Sequence, residues 1–231
     1  MSRQPPVQQA PPVQKLRVQY AKRGRARFAS HRDFCRAFER ALRRADIPMA
    51  FSSGFSPHPR ISYANASPTG AATEAEYLEL GLADRREPDA VRAQLNAALP
   101  EGLVIVKVVE AGPGSLAERL TASSWRVELA GADAAELADA AARLVALDAL
   151  DVQRMTKTGL RTFDVRGAVI SLTASADGFD LISAIGEPLV RPDDVLSALR
   201  QLSPGLTGTP LITRLQQGTW DGERIRDPLE A

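Results

Sequence analysis

The chain has 231 residues, of which 44% are hydrophobic and 25% charged, and this composition is typical of one large globular domain or two small ones. Its single cysteine, Cys35, excludes an internal disulfide, a cysteine zinc cluster and an iron–sulfur cluster held by three thiolates. The two histidines show neither an HxH nor an HExxH spacing. We therefore expect neither a metal nor a cofactor.

Positive charge is concentrated near the N-terminal end. Residues 15–60 contain twelve Lys or Arg against three Asp or Glu, although the whole chain has a formal net charge of only +1. Such asymmetry indicates one electropositive surface for an anionic partner. The sequence contains no run of about 20 apolar residues, and its first residues lack the apolar block of a signal peptide. We expect a cytoplasmic protein without a membrane partner.

Hydrophobic periodicity predicts two similar halves. Residues 1–14 are rich in Pro and Gln and are expected to be a disordered tail. Residues 15–110 predict the order βαββαβ, with strands at 16–20, 60–64, 76–82 and 103–109 and helices at 30–45 and 88–99. A turn-rich linker at 111–120 precedes a second unit at 121–220, and 221–231 is expected to be a C-terminal tail.

The second unit repeats this order with additions. Its predicted strands are 125–129, 152–155 continuing toward 165, 169–174, 180–185 and 211–216, and its predicted helices are 134–147 and 193–202. The order predicts an α+β protein made of two tandem ferredoxin-like units, each with helices on one face of an antiparallel sheet. No sequence repeat is visible, so the duplication rests on the order of elements alone.

The helix at 30–45 is the most amphipathic element of the chain. Phe34 and Phe38 recur at helical spacing on the face predicted to be buried, and Ser30 with Asp33 indicates a capped start. Arginine forks suit phosphate oxygens, so the opposite face is a candidate RNA-binding surface. A solvated face, or ion pairs with the acidic remainder of the chain, is the open alternative. The candidate arginines are Arg32, Arg36, Arg40 and Arg43.

A second basic cluster precedes this helix. Its candidate RNA-binding residues are Lys22, Arg23, Arg25 and Arg27, grouped around Gly24 and followed by Phe28. Such a cluster suits a polynucleotide backbone. His31, at the start of the helix, is a candidate acid or base beside a bound phosphate, and the alternative is that it only helps to cap the turn.

The segment at 51–70 is the least typical of a structural scaffold, and its first part, at 51–60, is predicted to be a loop. Phe51 and Phe55 flank Gly54, while His58 lies between two prolines and precedes Arg60. These residues predict a stiff loop that presents an imidazole and two rings to a ligand. The alternative is that the rings fill the core. His58 is the second candidate catalytic residue.

Two further charged groups have open interpretations. Glu74 and Glu76 are spaced for one face of a strand and are suited to acid–base work or, as we favour, to ion pairs with the arginines. Lys157, Arg161 and Arg166 either extend a basic surface or belong to an exposed hairpin.

At these residues the sequence resembles the radical-SAM-associated proteins, a family of unknown function found alone or fused behind a radical SAM enzyme. The resemblance spans about residues 15–220, and it is carried by RFASHRDFCRAFERALRRADIPMAFSSGFSPHPRISYA, EAEYLEL, KTGLRTFDVR and EPLVRPDDVLSAL. The chain has GFSPHP where family members commonly read GFNPHP. The resemblance implies a radical SAM protein as partner and a setting related to RNA or translation, and it identifies no reaction.

Two classes of function are therefore expected. The first is a non-catalytic accessory protein that binds RNA or another phosphate-bearing ligand through its basic face. The second is a metal-independent RNA-processing enzyme that uses His31 or His58. A nuclease needs one of these histidines within hydrogen-bond reach of the nucleophile or the leaving group at a scissile phosphate.

Overall fold

The computed structural model of the protein describes residues 8–157 and 159–230. They form two compact units: unit 1 is the described part of Met1–Glu118 with Leu229–Ala231, and unit 2 is Arg119–Pro228. Unit 1 contains the strands β1 (Gln14–Lys22), β2 (Ile61–Ala64), β3 (Ala72–Leu82) and β4 (Leu103–Glu110), and the helices α1 (His31–Arg44) and α2 (Pro88–Ala98). The six predicted elements of this unit are confirmed, with ends that shift by a few residues.

The sheet of unit 1 has the strand order β4-β1-β3-β2, and every neighbouring pair is antiparallel. The helices cover one face of this sheet, because alternate residues of β1 and β3 pack against apolar side chains of α1 and α2. The residues of this core include Leu16, Val18, Tyr20, Phe34, Phe38, Leu78, Leu80, Val91 and Leu95. Both phenylalanines of α1 are thus buried, as their spacing predicts.

The start of α1 is fixed by local chemistry. The Ser30 hydroxyl accepts a hydrogen bond from the Asp33 amide at 3.2 Å and donates to the Asp33 carboxylate at 2.6 Å. This cap satisfies one of the amide groups that the first helical turn leaves unpaired. The cap confirms Ser30 and Asp33 as the start signal of the helix.

Unit 2 contains seven strands and two helices among its described residues. The strands are β5 (Ala122–Ala130), β6 (Asp151–Thr156), β7 (Gly159–Asp164), β8 (Val169–Ser175), β9 (Gly178–Ala184), β10 (Thr209–Trp220) and β11 (Ile225–Arg226), and the helices are α3 (Ala134–Ala146) and α4 (Pro192–Leu202). β10, β5, β9 and β8 form an antiparallel sheet in that order. The protein is therefore of mixed α+β class, with antiparallel sheets.

The hairpin of β6 and β7 corrects one sequence prediction. A strand from Val152 continuing toward Val165 was expected, whereas the chain reverses and the two strands pair with each other. Gly159, at φ +117, supplies a backbone conformation that other residues rarely adopt and so permits the reversal. The hairpin lies in the chain between α3 and β8, which is the position that the 51–60 loop occupies in unit 1.

The three segments expected to be irregular behave differently from one another. Residues 1–7 of the predicted N-terminal tail lie outside the described residues, and Val13 donates its amide to Leu82 before β1 begins. In the segment predicted as a linker, the carbonyls of Gly112 and Gly114 accept bonds from Arg17. The predicted C-terminal tail contains β11, which pairs with β10. Among the described helices, none combines the length and apolarity that a membrane span requires.

Candidate nucleic-acid interface

The exposed face of α1 carries four arginines in a row. Arg32, Arg36, Arg40 and Arg43 are all exposed, and they follow one another at spacings of three or four residues. Arg43 is 4.0 Å from Glu39, and no other ion pair within 4 Å involves this row among the described residues. The arginines are thus available to an anionic partner, instead of being buried in ion pairs with Glu74 or Glu76.

The positive charge of this row helps to lower the pKa of a neighbouring carboxyl group, that of Asp33. The Ser30 hydroxyl lowers the pKa of Asp33 through its hydrogen bond, and the positive charges of Arg36 and Arg32 lower it further. Asp33 is fully exposed, so these arginines create a positive field at the surface of the helix.

The loop after α1 is closed by its own backbone. Ser52 donates its amide to the carbonyl of His58 at 2.8 Å, and the Ser52 hydroxyl accepts from the His58 amide at 3.0 Å. Gly54, at φ +129, makes the turn at the tip. Because the closure pins residues 52 and 58 together, the intervening tip projects, and Phe55 has 69% of its surface exposed. The alternative prediction, that both phenylalanine rings fill the core, is therefore wrong for Phe55.

The helix and the loop meet at a small cavity. Its volume is about 100 Å³, and it is lined on the helix side by Glu39 and Arg43 and on the loop side by Phe51 and Pro59. Phe51 has 44% of its surface exposed. Arg43, at the end of the arginine row, therefore borders Phe51 of the loop, and Phe55 projects from the same loop. We call this set the basic surface, and it consists of Arg32, Arg36, Arg40, Arg43, Phe51 and Phe55.

The cluster upstream of α1 does not join the basic surface as one group. Lys22 is only 4% exposed, so its ammonium is not offered to a large partner. Arg23 is bound by both carboxylate oxygens of Glu74, at 2.8 and 2.6 Å, and this contact raises the pKa of Arg23. Arg25 is exposed, and the guanidinium of Arg27 lies 4.6 Å from the centre of the Phe28 ring.

The two glutamates of β3 have separate roles. Glu74 forms an ion pair, but with Arg23 and not with the arginines of α1 that the salt-bridge interpretation names. Glu76 is 1% exposed, and its carboxylate accepts from the Ser67 amide at 3.2 Å. A buried acceptor of this kind fixes the turn between β2 and β3, so Glu76 is structural.

His58 and Arg60 face a different part of unit 1. Both line a groove beside β2 together with Lys15 and Glu79. The Arg60 Nε donates to the carbonyl of Phe51 at 3.1 Å, which ties this arginine to the base of the loop. The structure thus divides the predicted site residues between the basic surface, the Arg23 contact and this groove.

His31 contacts a cysteine that sequence reasoning did not include in a site. The Cys35 sulfur lies 3.6 Å from Nε2 of His31, and the His31 ring meets the Tyr63 ring edge-on with centroids 4.9 Å apart. A Cys–His pair can form an activated thiolate, but only where the thiol has a lowered pKa. Here burial raises the pKa of Cys35, and this effect outweighs the opposing hydrogen bond from Tyr63. The i, i+4 spacing of His31 and Cys35 on α1 is the signal that could have revealed this contact.

We expect Cys35 to react slowly with iodoacetamide. Its raised pKa keeps the thiol neutral at pH 7, so the alkylation rate should keep rising with pH beyond the pKa of free cysteine. The measurement is the pH profile of alkylation of the native protein, followed by intact mass, with N-acetylcysteine as reference. A profile with its midpoint below that of the reference would show an activated thiolate and would contradict this expectation.

The basic segment of unit 2 belongs to the hairpin. Lys157 and Arg161 are exposed, whereas the Arg166 guanidinium donates to the carbonyls of Val145 and Val169. Arg154, on the same hairpin, forms an ion pair of 2.6 Å with the largely buried Asp194. Lys157 and Arg161 therefore belong to an exposed hairpin, which is one of the two predictions made for this segment.

Comparisons with known proteins give one family. Residues 15–193 match the model of a family described as an uncharacterized protein conserved in bacteria (DUF2344). No curated protein matches the chain. A crystal structure of an unknown protein from Galdieria sulphuraria is 14% identical, and the match covers 87% of this chain and 98% of that one with a TM-score of 0.26. A TM-score this low indicates neither a shared fold nor a shared function.

Proposed function

The chain belongs to the DUF2344 family of uncharacterized proteins conserved in bacteria, and we propose that it is a cytoplasmic, non-catalytic accessory protein that binds RNA through the basic surface. The observation that carries the proposal is the row of four exposed arginines, whose last member borders Phe51 of the loop that also presents the exposed Phe55 ring. Arginines on α1 supply cations at a spacing that follows a polynucleotide backbone. The rings of the loop supply flat apolar faces.

The combination favours single-stranded RNA over an isolated phosphate. Guanidinium groups bind phosphate oxygens through paired, charge-assisted hydrogen bonds. Exposed aromatic rings stack on unpaired bases, and such stacking contributes about 1–3 kcal/mol per base. A free phosphate ion would use only the arginines and would leave Phe55 exposed to water.

The partner and the fold are further parts of the proposal. We infer a radical SAM enzyme as the partner, because the GFSPHP loop and the adjacent motifs resemble proteins found with such enzymes. We infer two tandem ferredoxin-like units, because each sheet has its fourth, first, third and second strands side by side, with every pair antiparallel. The second sheet counts β5, β8, β9 and β10 as its four strands.

The RNA-processing alternative has less support. His31 contacts Cys35 and Tyr63, and His58 borders the groove beside β2, so neither candidate belongs to the basic surface. A binding role requires only what the basic surface already presents.

The test is fluorescence anisotropy with a labelled 12-nucleotide single-stranded RNA over a series of salt concentrations. We expect the logarithm of the association constant to fall linearly with the logarithm of the salt concentration, as neutralised phosphates require. Phe55→Leu should weaken binding about tenfold at every salt concentration and leave the slope unchanged, because stacking carries no charge.

A matched control is Leu160→Ala, which removes an exposed apolar side chain from the hairpin of unit 2. It should leave RNA affinity unchanged. If the parent protein shows no binding at the lowest salt concentration, the proposed function is wrong. If Phe55→Leu binds like the parent, the loop has no part in it.

A further inference from the structure

The face of the unit 1 sheet that the helices leave uncovered carries charged and hydroxyl side chains in register. Glu79 of β3 lies opposite Arg17 of β1 on one side and opposite Ser62 of β2 on the other. Directly opposed residues of antiparallel strands point to the same face. These three polar residues therefore form a row across the sheet, on the face opposite the apolar core.

A second row lies beside the first. Lys15 of β1 is opposite Gly81 of β3, and the Gly81 amide donates to the carbonyl of Arg60 at 2.9 Å. Lys15 and Arg60 thus flank β3 from its two sides, about 10 Å apart at the backbone, since neighbouring strands are separated by about 4.8 Å. Gly81 permits this arrangement because a methyl group there would lie 3.1 Å from both Arg60 and Pro12.

Two adjoining cavities follow these rows. One has a volume of about 290 Å³ and the other of about 390 Å³. Lys15, Ser62 and Glu79 line both, so the two cavities form one groove. Together they reach the size of pockets that hold small molecules, which is roughly 300–1,000 Å³. The groove also has apolar walls, which include Pro12 and Pro59 at one end and Leu116 at the other.

The groove has an excess of positive charge. Both oxygens of Glu79 are occupied, one by Lys15 at 3.4 Å and the other by Arg17 at 3.3 Å. Arg17 is buried and also donates to two backbone carbonyls, so it balances Glu79 and offers little to a ligand. Lys15 keeps 59% of its side chain exposed, and an ammonium has three donors. Arg60 is exposed and is tied to the protein through Nε.

We propose that this groove binds a small organic anion, with a phosphate or carboxylate group attached to an apolar body. Lys15 and Arg60 hold the anionic group from the two sides of β3. Glu79 positions the ammonium of Lys15, and Pro12 and Pro59 contact the apolar body. The site is distinct from the basic surface, because it lies against the sheet face opposite the helices.

The test uses the full chain labelled with ¹⁵N and three probes of similar size: phenyl phosphate, benzoate and benzyl alcohol. We expect an anionic probe to shift the amide signals of Ile61, Ser62 and Gly81, and benzyl alcohol to shift none of them. Tighter binding of phenyl phosphate identifies a phosphate group as the ligand chemistry, and tighter binding of benzoate identifies a carboxylate.

Lys15→Gln and Arg60→Gln should each weaken the anionic probe about tenfold, the loss expected for one charged hydrogen bond. Arg92→Gln is the matched control, since Arg92 is an exposed arginine of unit 1 on α2 and should not affect the probe. The proposal is overturned if benzyl alcohol binds as tightly as the anions, or if both groove variants bind them within twofold of the parent. Both changed side chains are exposed, and the dispersion of the amide spectrum verifies that each variant is folded.

This outcome is separable from the RNA-binding proposal. A variant with the arginine row removed should no longer bind RNA and should still bind the anionic probe. Lys15→Gln should bind the anionic probe more weakly and should keep its RNA binding. If the probe instead shifts amides of α1 and is lost with the arginine row, it occupies the basic surface and the groove proposal fails.

Discussion

Replacing Arg36, Arg40 and Arg43 together with glutamine should weaken the proposed RNA binding about 100-fold at low salt, because each guanidinium would neutralise a backbone phosphate. The slope of log association constant against log salt should become shallower by about 2, since each phosphate contact on a single strand contributes about 0.7. All three side chains are exposed, so the substitutions should leave the fold intact. Anisotropy titrations at four salt concentrations measure both quantities.

The control variant loses the same number of positive charges, three, at another place on unit 1. Arg85, Arg86 and Arg92 are exposed and lie outside the basic surface, and their joint replacement by glutamine should change RNA affinity by less than about threefold. Equal losses in the two triple variants would mean that net charge alone attracts the RNA. The arginine row would then have no special role.

Arg17→Met should lower the stability of unit 1 by about 3 kcal/mol, as expected when one member of a buried ion pair is removed. Arg17 is 1% exposed, and its guanidinium donates to the Glu79 carboxylate and to the carbonyls of Gly112 and Gly114. Methionine fills a similar volume but removes the donor that Arg17 supplies to all three acceptors, and only Lys15 then remains beside Glu79. Native-state hydrogen exchange of β1 and β3 should become about 100-fold faster, the equivalent of that free energy.

Arg85→Met serves as the reference for this change. Arg85 also pairs with a glutamate, Glu110 at 3.3 Å, but 71% of its side chain is exposed. Exposed pairs contribute about 0–1 kcal/mol, so exchange in β1 and β3 should be nearly unchanged. If the amides of β1 and β3 exchange at the parental rate in the Arg17→Met variant, the 112–114 segment is held by other contacts.

Much of the fold could be predicted from the sequence because its signals are local. The Ser30 cap, the Phe34 and Phe38 spacing and the proline at the start of α2 each depend on neighbours along the chain, and the helices appear where these signals place them. The β6–β7 hairpin was predicted only as one of two alternatives for residues 157–166, because a continuing alternation gives the same pattern whether the chain runs on or reverses at Gly159.

The candidate site could be predicted only in part. Exposure of the arginine row follows from the amphipathic pattern of α1. The burial of Lys22 and the pairing of Arg23 with Glu74 depend on which strands become neighbours. The local sequence pattern does not determine which strands pair. The groove was missed for the same reason, since Lys15, Arg60 and Glu79 are brought together by strand register alone.

The two units insert different segments at the same position of a shared frame. Between the first helix and the second strand, unit 1 has the closed loop that carries Phe55, and unit 2 has the β6–β7 hairpin. The strand order around each insertion is the same, so the sheet does not depend on what this connection contains. Connecting segments vary more than the elements they join, so this connection can differ between the units while the strand order is the same.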